Sequence, residues 1–193
     1  MVAKFLFGLV VWASPVFAFA QGAAVTGANP VRPVPFVDLD RYSGIWYDIG
    51  SFPQRFQRGC HCTRARYSKN EDGTINVVNS CNRDSISGRL TVAEGTAVVV
   101  PEAVQDGSWS RLKVYFFLPW LRWFGGDYWI IGLDEDYRWA VVSEPSRKYL
   151  WILSRTPVLQ AAELERAKKA IVDNGLDIAG IQWTPQAGCQ YLE

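Results

Sequence analysis

The sequence predicts an all-β domain: an eight-stranded antiparallel up-and-down β-barrel, followed by one C-terminal helix and a short ninth strand. Three observations carry this reading. Between residues 45 and 155, short runs of alternating apolar and polar residues are separated by turn residues, with no helical stretch. Gly44-Ile45-Trp46 opens the first run, and Trp151-Ile152-Leu153-Ser154-Arg155 closes the last. A barrel of this size needs a plug at one end, and a Trp on the entering strand supplies a large apolar plate. An Arg at the end of the last strand can stack on that plate and donate to loop carbonyls.

The elements follow in order. Residues 37–42 are expected to make a short turn that closes the barrel floor. The strands are predicted at residues 45–52, 60–69, 75–83, 88–100 (interrupted near Glu94-Gly95), 112–116, 128–133, 139–143 and 149–155. Sequential strands with short turns favour up-and-down closure. For the helix, Thr156 offers a cap, Pro157 suits the first helical position, and Leu164, Ala167 and Ile171 make an apolar stripe. Gly175 after Asn174 is a stop signal, and residues 181–183 are the ninth strand.

Lys4, an apolar run over residues 5–17 and Ala18-Phe19-Ala20 read as a secretory signal cut after residue 20. The apolar run is too short for a stable membrane helix. No Cys precedes Cys60, so cleavage exposes no Cys for lipid attachment. The expectation is a soluble periplasmic or secreted protein without an N-terminal lipid anchor. The remaining 193 − 20 = 173 residues suffice for one domain, residues 36–193, behind a Gly-, Ala- and Pro-rich flexible leader over 21–35. The chain has 20 Lys and Arg against 19 Asp and Glu, and loss of Lys4 leaves 19 against 19. Such a balance offers no field for steering to nucleic acid.

Cys60, Cys62, Cys81 and Cys189 are an even set in an exported chain, which favours two disulfides. The hairpin turn Asn70-Glu71-Asp72-Gly73 sets Cys81 opposite either Cys60 or Cys62. Strand parity also puts Cys81 on the face of Asn79, a conflict that a bulge would relieve. A metal site at Cys60-His61-Cys62 is disfavoured, because the His61 ring points to the other strand face from both thiols. His61 is the sole His, so no Ser-His-Asp set can be built without it. No cofactor, metal or enzymatic role is expected.

Asp136-Tyr137-Arg138-Trp139-Ala140 begins 136 − 46 = 90 residues after Trp46, and Arg155 lies 155 − 46 = 109 residues after it. With Gly44-Ile45-Trp46-Tyr47, this ordered trio resembles the signature of the lipocalins, in which Gly44, Trp46, Asp136, Tyr137 and Arg155 are fold-building residues. Arg55-Phe56-Gln57-Arg58-Gly59, Ala65-Arg66-Tyr67-Ser68, Tyr128-Trp129-Ile130 and the run from Trp151 to Pro157 are similar to the bacterial lipocalin and apolipoprotein D group. The resemblance covers most of residues 36–191. It implies that Cys62 is tied to Cys189, leaving Cys60 with Cys81. It also implies a small hydrophobic ligand in the barrel, a fatty acid or lysophospholipid. Tyr67, Asn79, Arg83, Phe116 and Trp151 fall at positions that resemble the pocket lining of the family. Phe116, Tyr128 and Trp151 would hold an apolar chain, and Arg83 with Asn79 and Tyr67 would meet a carboxylate or phosphate. A pigment, a retinoid, another planar hydrophobe or a lipocalin-fold enzyme are the rival readings.

Residues 116–124 run from the fifth strand into the E–F loop. Trp120, Leu121, Trp123 and Phe124 are unusual in a loop, which is ordinarily polar. Two readings remain open: a peripheral membrane contact with Arg122 near lipid phosphates, or a lid folded over the pocket.

Overall fold

The alternating runs fold into eight antiparallel strands joined in chain order. They are β1 (Gly44–Ser51), β2 (Cys60–Lys69), β3 (Ile75–Arg83), β4 (Leu90–Val99), β5 (Arg111–Leu118), β6 (Leu121–Leu133), β7 (Trp139–Ser143) and β8 (Leu150–Ser154). β1 pairs with both β2 and β8, so the sheet closes on itself and the barrel has no long free edge. β9 (Gln182–Trp183) adds to the upper part of β1. The structure, a computed structural model, describes residues 29–118 and 121–191, with the backbone alone at 117–118 and 121–124. The predicted signal, residues 21–28 and Trp120 lie outside the described residues.

The strand directions put the β1–β2, β3–β4, β5–β6 and β7–β8 connections at one end, the mouth. The other end is closed by α1 (Leu39–Tyr42), whose first turn is capped by Asp38 Oδ1 accepting from Asp40 N at 2.9 Å and Arg41 N at 3.2 Å. α2 (Pro101–Gln105) joins β4 to β5 and was not anticipated from the sequence. Pro101 is preset for a first turn, and Ala103 is fully buried beneath it.

Inside the barrel, Trp46, Ile75, Val77, Ala97, Leu112, Val114, Ile130, Val142 and Leu153 form one core. A second core lies outside, where α3 (Ala161–Asp173) packs Ala167 and Ile171 on Trp139, Val141 and Ile152. The predicted stripe holds, but the helix begins four residues later than Pro157. Thr156 is taken up in a local turn, accepting nothing from the helix: its N–H donates to Ser154 Oγ at 3.1 Å and its hydroxyl to the Val158 carbonyl at 2.8 Å.

Three further expectations are corrected. β4 runs without a break, and Gly95 marks a close approach: a Cβ there would meet the Tyr115 carbonyl of β5 at 2.5 Å. The final residues of the leader are docked. Val31 is buried in the outer core, Arg32 N donates to Asn174 Oδ1 at 2.7 Å, and Val34 N donates to the Ile130 carbonyl at 2.8 Å. β6 starts seven residues early, pairing Phe116 with Phe124 and Leu118 with Leu121. Leu121, Trp123 and Phe124 are therefore strand backbone rather than loop, consistent with the strand preference of aromatic residues.

Cys60 is bonded to Cys81, and Cys62 to Cys189. The β2–β3 register shifts between His61 and Arg64, which brings Cys60 across to the face of Cys81.

Candidate functional site

The floor is a set of mutual caps. The Arg155 guanidinium lies 3.8 Å above the Trp46 ring, and Trp46 Nε1 donates to the Tyr42 carbonyl at 2.8 Å. Arg155 Nη1 donates to Ile45 O at 2.9 Å, Nη2 to Arg41 O at 2.6 Å and Nε to Tyr137 O at 3.2 Å. Tyr137 in turn accepts from Asp38 N at 2.7 Å. In the adjoining turn the exposed Asp136 makes only a 3.9 Å contact with Arg138. The turn is held instead by the buried Asp134, which accepts from Asp136 N and from Arg138 N and Nε. The buried carboxylate of this turn is Asp134, two residues before Asp136.

Directly above the floor, three phenols meet. Tyr128 Oη lies 2.8 Å from Tyr42 Oη and 3.2 Å from Tyr67 Oη. Burial pushes the Tyr67 hydroxyl up to about 12 and those of Tyr42 and Tyr128 in the same direction, so all three stay neutral donors. They line a cavity of about 20 Å³ with Ile75, Val77, Ala97, Leu112 and Val114. That is room for about one water-sized group, so an acyl chain reaching this depth must move side chains.

Higher in the barrel, register places Asn79 opposite Ala65, on the inward face shared by Ile75 and Val77. Its Oδ1 is buried without a hydrogen-bond partner. Phe116, Tyr128 and Trp151 pack against the inner core. Trp151 Nε1 donates to Gln57 Oε1 at 3.0 Å, and Gln57 Nε2 donates to Asp48 Oδ2 at 2.9 Å. Asp48 is 3% exposed, and burial raises its carboxyl to about 6 against the hydrogen bond from Gln57. This Asp48–Gln57–Trp151 link was missed. The available signal was parity: Asp48 stands two residues beyond Trp46 and so shares its inward face.

The predicted polar trio does not converge. Tyr67 pairs with Val77 near the floor, whereas Arg83 is at the mouth end of the same β3 strand. Six residues at about 3.3 Å each separate them by roughly 20 Å. At the mouth, Arg83 Nη1 donates to the Arg58 carbonyl at 2.6 Å and Nη2 to the Phe56 carbonyl at 3.2 Å. Arg83 thus pins the β1–β2 connection, with two of its five donors engaged there. Asn79 lies between the two levels. The aromatic pair Phe116 and Trp151 and the base of the pocket at Tyr67 and Tyr128 are on one continuous inner surface.

Residues 37–186 match the lipocalin-like domain family. The chain is 36% identical over 184 residues to the outer membrane lipoprotein Blc of Escherichia coli strain K12, covering 95% of this chain and 98% of that protein. It is 36% identical over 167 residues to temperature-induced lipocalin-1 of Arabidopsis thaliana, covering 84% and 87%. Apolipoprotein D of Bos taurus is 28% identical over 182 residues, covering 90% and 91%. In three dimensions the barrel is similar to insecticyanin from the tobacco hornworm Manduca sexta, with a TM-score of 0.68 at 22% identity over 83% of this chain and 88% of that one. Closed barrel, floor and sequence agree: the chain belongs to the lipocalin family, which binds small hydrophobic ligands.

Proposed function

We propose that this protein is an exported carrier that holds a fatty acid or lysophospholipid-like amphiphile in its barrel and exchanges it near a membrane. The observation that carries this reading is the inner wall. It is apolar from Ile75 and Val77 across Ala97 and Val114 to Phe116 and Trp151, and Asn79, on the same face of β3 as Ile75 and Val77, has a buried Oδ1 without a partner. A surface of that kind suits one apolar chain and one polar end. The tail packs along Phe116, Tyr128 and Trp151, and the polar end faces Asn79 and the mouth, where Arg83 has further donors. Tyr67 bounds the tail end. Likeness to apolipoprotein D supports lipid as the cargo.

Binding, not catalysis, is the proposed role. All four Cys are in disulfides, which leaves the barrel without a thiol nucleophile. The β5–β6 hairpin at the mouth, with Trp120 in its connection and Leu121, Trp123 and Phe124 at the start of β6, is the segment proposed to meet the membrane.

Native mass spectrometry of protein purified from the export compartment, with extraction of the bound molecule, tests this reading. An acyl amphiphile at one copy per chain is expected. A retinoid or a pigment with visible absorbance in its place overturns it.

A further inference from the structure

β1 and β2 stay paired only from Gly44↔Tyr67 to Tyr47↔Arg64. Beyond that point β2 bulges, and β9 takes the vacated edge of β1 at Gly50↔Trp183 and Ser51↔Gln182. The strands part around a cavity of about 430 Å³, bounded by residues 51–59 on one side and 182–185 on the other. This size falls within the roughly 300–1,000 Å³ of small-molecule sites. The small cavity at the base of the barrel has a different lining, without a residue in common.

Polar atoms without partners gather here. Gln54 is 9% exposed, and both its Nε2 and its Oε1 are buried and unbonded. Thr63 is 8% exposed with its Oγ1 in the same condition, as is His61 Nδ1. Four of the nine such side-chain atoms among the described residues thus belong to this one cavity. Native folds leave few buried polar groups unpaired, because each unmade bond is costly, so a cluster of four asks for a ligand.

The lining also fixes the chemistry. It contains Arg55 and Arg58 and no carboxylate. Gln54 Nε2, the Thr63 hydroxyl and an Nδ1–H tautomer of His61 are donors, which suit anionic oxygens. Gln54 Oε1 is an acceptor, which an anion alone leaves unsatisfied, so the ligand needs a hydroxyl as well. We propose that this cavity is a second ligand site, distinct from the small cavity at the base of the barrel, for a phosphorylated polyol held by Gln54, His61 and Thr63 and charge-matched by Arg55 and Arg58. Glycerol phosphate is the simplest such group, whether free or as the head of a lipid whose tail lies in the barrel.

The test is calorimetric titration of the full, oxidised protein with sn-glycerol 3-phosphate, alongside fatty-acid affinity measured by displacement of a fluorescent probe. One-to-one binding is expected, weakened at least tenfold by Gln54→Leu and by Thr63→Val and restored by Thr63→Ser. Fatty-acid affinity should stay within twofold in every variant, which also shows that they fold. Prefilling the barrel with a glycerol-based lysophospholipid separates the sources: competition identifies the lipid head, and independent binding identifies the free compound. Absence of glycerol phosphate binding, or binding indifferent to both Gln54→Leu and Thr63→Val, overturns the second site. Loss of fatty-acid binding with glycerol phosphate binding intact instead overturns the lumen reading alone.

Discussion

A Cβ built on Gly44 would lie 3.2 Å from Nη1 of Arg155, so two residues 155 − 44 = 111 positions apart share one tight contact. Gly44 also has φ +100°, a conformation that other residues adopt only with strain. The positive φ and the close guanidinium together favour Gly at the Gly-x-Trp step. Gly44→Ala is expected to cost about 1–3 kcal/mol, and Trp46→Ala about 3–5 kcal/mol. Arg155→Lys keeps the charge but loses the fork that reaches three carbonyls, and is expected to destabilise as well. Urea unfolding of the three variants checks this. Wild-type stability in Trp46→Ala would refute the plug.

Asp48 gives a pH-dependent expectation. Its carboxyl is raised to about 6 in the fold, against an ordinary value of 3.8, chiefly by burial. The folded state therefore holds this proton more tightly than the unfolded chain does. Its contribution is most favourable below pH 4 and is lost as pH rises through 6. Two units correspond to at most about 3 kcal/mol. Asp48→Asn should be more stable than wild type above pH 6.5, by about 1–3 kcal/mol, with the gap closing toward pH 4. Denaturation curves at pH 4, 5.5 and 7.5 are sufficient. A gap that widens on acidification contradicts the assignment.

The two disulfides close loops of different length, 21 residues between Cys60 and Cys81 and 127 between Cys62 and Cys189. Chain-entropy estimates give about 3 and about 5 kcal/mol respectively. Cys62→Ser with Cys189→Ser is expected to lower the melting temperature more than Cys60→Ser with Cys81→Ser. Fatty-acid affinity of the first pair should change little, because Cys189 lies on the tail outside the barrel. Differential scanning calorimetry and probe displacement on both double variants decide it.

Trp120→Ala combined with Trp123→Ala is expected to weaken co-sedimentation with lipid vesicles while fatty-acid affinity stays within twofold. The inner wall at Phe116 and Trp151 is untouched by the change. A lid over the pocket would give the reverse, with ligand affinity falling and vesicle binding preserved.

The class of fold and its frame were legible in the chain of residues alone. Alternation with period two suits strands with one face buried, and the ranges predicted for β2 and β3 are the observed ones, whereas their register, with its shift between His61 and Arg64, was left open. The Gly44, Trp46 and Arg155 positions were legible because each has a residue type that the floor needs for a distinct physical reason. The stripe on α3 was equally legible, although its start was not, since Thr156 had two local partners to choose from. Tertiary structure alone decided the rest. Parity put Asn79 and Arg83 on one face but could not show that Arg83 is spent on the carbonyls of Phe56 and Arg58. Nor could it show that Tyr67 lies near the floor beside Tyr128, far below Arg83. Asp48, Gln54 and Thr63 stand in no motif, and the stretches that hold Gln57 and His61 point to no such role for either. They gain meaning only where β1 and β2 separate and β9 fills the edge, because burial and missing partners are properties of the closed barrel and not of any run of residues.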